Sequence, residues 1–124
     1  MIHRSGTGSR STEVHVLSAA SEYKTFVLSK WTGLHETTAA TDFALAANRD
    51  LFVIHRSGTG SRSTEVQVLS AASEYKSFVL STGTVLEETN DVFSFAVSPS
   101  RELFVVKNRN TGSNSTEVHI IDLP

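Results

Sequence analysis

The side chains of this 124-residue chain that could do chemistry are five histidines, thirteen carboxylates and eleven cations, and their spacing excludes most reactions. His3, His15, His35, His55 and His119 never fall at the His-x-x-x-His interval that lets one helix face hold zinc. There is no cysteine, so thiolate metal sites, disulfides and thiol catalysis are out. No G-x-S-x-G elbow occurs, and Ser, His and Asp are too dispersed to form a triad. Glu13, Glu65 and Glu117 recur 52 residues apart, which sets them on equivalent units rather than beside one another as an acid/base pair. The expectation is a non-enzymatic chain with no metal and no cofactor.

Binding chemistry is better supplied. Sugars are held by an aromatic face against their C–H surface and by polar side chains on their hydroxyls. Trp31, Tyr23 and Tyr75 are candidate platforms, and Trp31 could equally plug a junction between chains. Arg10 and Arg62 sit in a Gly/Ser-rich turn, with Arg4 and Arg56 beside them, where they could meet an acidic or sulfated sugar or stand as solvated turn charges. His35 and Glu87 lie in the segments 31–41 and 83–91, which differ between otherwise matching stretches. Variable loops on a repeated scaffold are where specificity sits. Arg49 and Arg101, next to Asp50 and Glu102, read as structural pairs at a corner.

Those residues belong to a repeat. Residues 54–81 copy residues 2–29 and differ only at His15/Gln67 and Thr25/Ser77, and a looser third copy begins at Val105. The offset is 52 throughout: Thr12-Glu13-Val14, Thr64-Glu65-Val66, Thr116-Glu117-Val118. Self-similarity at about 50 residues marks a propeller or a related array. The chain divides into repeats 1–52 and 53–104 and a partial repeat 105–124, all within one domain spanning 1–124.

Each period holds four short segments rich in Val, Ile, Phe and Thr, bounded by Gly, Ser, Asn or Asp. In the middle copy they are residues 42–47, 49–57, 63–70 and 76–81. Glu65, Gln67 and Leu69 alternate with Val66 and Val68, the period of a strand with unequal faces. Leu51-Phe52-Val53-Ile54 is apolar throughout and must be covered on both sides. SGTGSRS reads as a hairpin turn; no Lys follows its last Gly, so it is no phosphate cradle. SAASEYK is too short for an independent helix and reads as a loop or single turn. The fold class is therefore all-β, ten strands arranged as a β-propeller of four-stranded blades, with a β-sandwich as the alternative.

The frame Phe43-Ala44 followed by Asp50-Leu51-Phe52-Val53, repeated as Phe95-Ala96 with Glu102-Leu103-Phe104-Val105, resembles blades of the FG-GAP/VCBS type. The DLFVIH and ELFVVK strands are also similar to those of tachylectin-like five-bladed lectins. The resemblance implies a propeller fold and a carbohydrate-binding role. It departs from the FG-GAP pattern at the calcium loop, where residues 46–50 and 98–102 offer one carboxylate beside an Arg instead of the six to eight oxygens calcium takes.

Two and a half repeats leave edge strands and an apolar face open at each end, and repeat units are stabilised by their neighbours. The expected partner is a further copy of the chain. Two blades per chain make a six-bladed trimer, the favoured arrangement, with the surplus third hairpin exchanged at the junction; three per chain make a six-bladed dimer. The expected ligands are glycans at repeated, multivalent sites. The rival readings are a scaffold that binds proteins and an engineered or excised fragment of a longer propeller. A net charge of −2 provides no basic stripe for nucleic acid, and no apolar run is long enough for a membrane span. A secreted chain is favoured, though the absence of cysteine fits either compartment.

Overall fold

The computed structural model describes residues 1–37, 41–91 and 93–123. Among them, ten strands form three antiparallel sheets. The first sheet holds β1 (Ile2–His3), β2 (Ser11–Leu17) and β3 (Phe26–His35). The second holds β4 (Thr41–Leu45), β5 (Leu51–His55), β6 (Ser63–Leu69) and β7 (Phe78–Glu87). The third holds β8 (Phe93–Val97), β9 (Leu103–Lys107) and β10 (Glu117–Ile121). Strands pair in chain order within every sheet. No helix among the described residues is long and apolar enough to cross a membrane.

The 52-residue offset is kept in the register. Val14 lies opposite Lys30 and Val66 opposite Thr82, and both pairs of strands carry bulges at the same two places. The hairpins joining β1 to β2, β5 to β6 and β9 to β10 are built alike. A left-handed residue opens each (Gly6, Gly58, Asn110) and another closes it (Arg10, Arg62, Asn114). Glycine and asparagine adopt that conformation at low cost. The hydroxyls of Thr7, Thr59 and Thr111 each donate to the carbonyl four residues on, at 2.7 Å. Ser9, Ser61 and Ser113 donate to Glu13, Glu65 and Glu117 at 2.8, 2.7 and 2.7 Å. The three periodic glutamates are thus turn clamps.

The second sheet is covered on both faces, as its all-apolar β5 demands. Leu51, Val53, Leu69 and Tyr75 pack toward the first sheet against Val14, Val16 and Leu28. Phe52, Ile54, Val66 and Val68 pack toward the third against Phe93, Leu103 and Val105. Burying each such side chain contributes roughly 1.5–3 kcal/mol. The two junctions are therefore the core of the molecule.

Two expectations change. Residues 31–35 and 83–87, which the sequence places in variable loops, are the second halves of the ten-residue strands β3 and β7. In β7 the alternation is real, with Leu80, Thr82, Thr84 and Leu86 half-buried between exposed neighbours; threonine at the inward positions hides it from an apolar count. Residues 38–40 of the first loop lie outside the described residues. The third hairpin is also no surplus element, because β9 pairs with β8 and builds a sheet of its own. SAASEYK forms the expected single turn, Ala19–Ser21 and Ala71–Ser73 in the two copies, each ended by a left-handed glutamate.

Candidate functional site

Consecutive sheets meet along a seam, and the first is fastened by the turn ahead of β7. Left-handed Glu74 and Tyr75 throw this turn against β3. Gly33 N–H donates to the Tyr75 carbonyl at 2.8 Å, and Lys30 pairs with Glu74 at 3.2 Å. Lys76 donates to the Trp31 carbonyl while its Nζ stands 3.8 Å above the Trp31 ring, a cation–π contact. A Cβ on Gly33 would lie 2.4 Å from the Lys76 carbonyl oxygen, so only glycine allows this approach. Tyr75 is buried at 4% exposure, and its hydroxyl donates to the Arg49 carbonyl at 2.8 Å. Burial pushes its phenol above the ordinary range.

At the hairpin end of each seam lies a polar groove. The first, about 320 Å³, is bounded by Leu34 and Thr37 on one side and His55, Glu65, Gln67 and the turn at residues 57–60 on the other. His55 Nε2 and Gln67 Oε1 are 3.0 Å apart, and the Thr41 hydroxyl lies 3.5 Å from His55 Nδ1. That arrangement suits an Nε2–H imidazole, donating to the amide and accepting from the threonine. The second groove, about 310 Å³, is lined by Leu86, Glu87, Thr89, Asp91, Phe93 and Lys107, among others. Leu34/Leu86, Thr37/Thr89 and His55/Lys107 are 52-residue counterparts. Lys107 Nζ stands 5.2 Å from the centre of the Phe93 ring, and Asp91 accepts from the Asn110 amide at 2.9 Å.

Of the residues singled out by sequence, the seam gathers Trp31 and Tyr75, and the second groove takes Glu87. Trp31 is half-exposed, with Lys76 over its ring. Tyr75 presents no face for a sugar, because it is seam packing. Tyr23, its counterpart, is 66% exposed. Arg10 and Arg62 are exposed left-handed turn residues whose carbonyls accept from Glu36 and Glu88 N–H at 3.2 and 3.1 Å. His35 and Glu87 end their strands, and their carbonyls accept from Thr12 and Thr64 at 3.1 and 3.2 Å. These residues do not converge on one site.

Arg56 corrects the reading of a free turn charge. It is buried, pairs with Asp42 at 2.5 Å, and its guanidinium donates to the carbonyls of Asn90 and Asp91. It holds the chain where it enters the third sheet. Arg49 likewise does not pair with Asp50. The partner is Arg101 of the third sheet, 3.4 Å away. Asp50 also accepts from Ala71 N–H at 2.9 Å and from the Asn48 amide at 3.1 Å. Burial opposes its ionisation, but these donors and Arg101 outweigh it and hold the carboxyl below the ordinary range. Its oxygens are thus committed to closing a corner. Among the described residues, no group of three or more His, Asp or Glu could hold a metal ion.

Sequence reasoning missed His55, Gln67, Thr37 and Lys107. One signal was present: Gln67 is one of only two substitutions in the copied 28 residues, and it sits inside a groove. Compared with family models, curated proteins and solved structures, the chain matches none.

Proposed function

We propose that the chain is a non-enzymatic, carbohydrate-binding module in which the three sheets are blades of a β-propeller and the grooves between them take glycans. The observation that carries this reading is recurrence. Two grooves of about 320 and 310 Å³ share three pairs of lining residues one period apart, Leu34/Leu86, Thr37/Thr89 and His55/Lys107, and both are in the size range of small-molecule sites. A sugar offers alternating C–H patches and hydroxyls that both donate and accept. Leu34 and Leu86, with Phe93 in the second groove, supply apolar contact. Thr37, His55, Glu65 and Gln67, and Thr89, Asp91 and Lys107 in the other, supply donors and acceptors on fixed strand ends.

The charge of the lining sets the sugar class. Glu87, Glu88 and Asp91 face a single Lys107 in the second groove, which disfavours the acidic or sulfated sugars suggested by Arg10 and Arg62 and suits neutral or amino sugars. Each site alone is shallow and weak; two on one chain gain by avidity. A protein-binding scaffold is the second reading, favoured by the apolar residues Val79 and Val85 exposed on β7.

A glycan array followed by calorimetry tests this. Binding of neutral or amino sugars should weaken about tenfold in Gln67→Ala at one site and in Lys107→Ala at the other, the loss of one or two hydrogen bonds. No sugar bound at millimolar concentration would sink the lectin reading and leave the scaffold.

A further inference from the structure

We infer that the chain stacks head to tail on a second copy of itself, the outer face of the third sheet receiving the outer face of the first. This is independent of the glycan reading. The two free faces continue the two buried seams. At the first seam, Tyr75 and Leu69 of the second sheet pack against Val14 and Val16 of the first. One period before Tyr75 and Leu69 stand Tyr23 and Leu17, on the face of the first sheet turned away from the second. Two periods after Val14 and Val16 stand Val118 and Ile120, on the face of the third sheet turned away from the second. Each end of the chain thus displays one half of a junction that the same chain closes internally.

Exposure agrees with that assignment. The turns around Tyr23 and Tyr75 have the same residues and the same backbone, left-handed at Glu22 and Tyr23 (55° and 63°) and at Glu74 and Tyr75 (54° and 65°). Yet Tyr75 is 4% exposed and Tyr23 66%. What differs is the neighbouring sheet that Tyr75 packs against. At the other end Val118 and Ile120 are 59% and 55% exposed, where their counterparts Val66 and Val68 are fully buried. Apolar side chains placed by a repeat that buries them elsewhere need a like surface, and a second copy carries it. Because the joined faces differ, the contact is heterologous and can close on itself. With the three sheets of the described residues, two copies make a ring of six, so the closed species is a dimer.

Light scattering on the intact chain should give about 27 kDa, twice 13.5 kDa. Tyr23→Glu alters one face and Ile120→Lys the other; both sites are exposed in the single chain, so each variant keeps its fold by circular dichroism and runs at the single-chain mass. An equimolar mixture should regain the dimer, because the intact face of each variant meets the intact face of the other and the new Glu faces the new Lys. Val118→Lys repeats the test should Ile120→Lys fail to fold. A single-chain mass for the unaltered protein at millimolar concentration overturns the inference. So does a dimer that ignores either substitution, as a contact between like faces would, or a mixture that stays monomeric.

Discussion

Arg101 reaches back from the third sheet to Asp50 of the second, Nη2 to Oδ2 at 3.4 Å, and so ties two repeats at a corner that an isolated repeat would leave open. The same carboxylate accepts the Ala71 N–H at 2.9 Å, linking the turn before β5 to the turn after β6. One side chain thereby fixes three backbone segments.

The ionisation of Asp50 makes stability depend on pH. Its carboxyl lies below the ordinary value of 3.8 in the folded chain, so the folded state binds its proton less tightly than the unfolded one. The contribution is fully present above that ordinary value and is lost as pH falls through the folded value. Asp50→Asn should cost about 1–2 kcal/mol at pH 7 and flatten the acid limb of the stability curve, read from urea midpoints between pH 2 and 7.

Gly33→Ala and Gly83→Ala form a matched pair on β3 and β7. A Cβ at Gly33 meets the Lys76 carbonyl oxygen at 2.4 Å, whereas one at Gly83 finds its nearest atom at 3.7 Å. The first substitution should destabilise by about 1–3 kcal/mol, since backbone must move. The second should stay within about 0.5 kcal/mol. Chemical denaturation of both variants checks the difference.

Tyr75→Phe removes the donor to the Arg49 carbonyl and should cost about 1 kcal/mol. Tyr75→Ala also empties a buried aromatic site and should cost about 3–5 kcal/mol. Tyr23→Phe, at an exposed position with the same neighbours in sequence, should change the melting temperature little.

Trp31 is the single tryptophan and reports on the first seam. Lys76→Met removes the cation from its ring and the bond to its carbonyl, at a cost of about 0.5–1 kcal/mol, and the emission maximum should move. Unfolding followed at Trp31 should coincide with that followed by far-ultraviolet circular dichroism if the seam and the sheets melt together.

The strands were legible because Val, Ile, Phe and Thr alternate between Gly- and Ser-rich turns, and the 52-residue period carried each strand from one copy to the next. The all-apolar Leu51-Phe52-Val53-Ile54 announced a sheet covered on both faces. The seams were not legible. Tyr23 and Tyr75 sit in the same local sequence, and only the presence of a neighbouring sheet separates an exposed ring from a buried one. Trp31 gave no hint of its tie to Lys76, 45 residues on. The second halves of β3 and β7 were hidden because Thr32, Thr82 and Thr84 fill inward positions in place of apolar residues. The grooves fall between repeats, at strand ends, where no single segment contains them.

The hairpins carry one more consequence. In the third copy asparagine takes the two left-handed corners that Gly6 and Arg10 hold in the first, and the threonine and serine bonds that shape the loop persist. Corner identity can therefore drift while the loop keeps its outline, so the rim of the molecule is free to vary in chemistry without disturbing the stacked interior, and new surface properties can be tried one copy at a time.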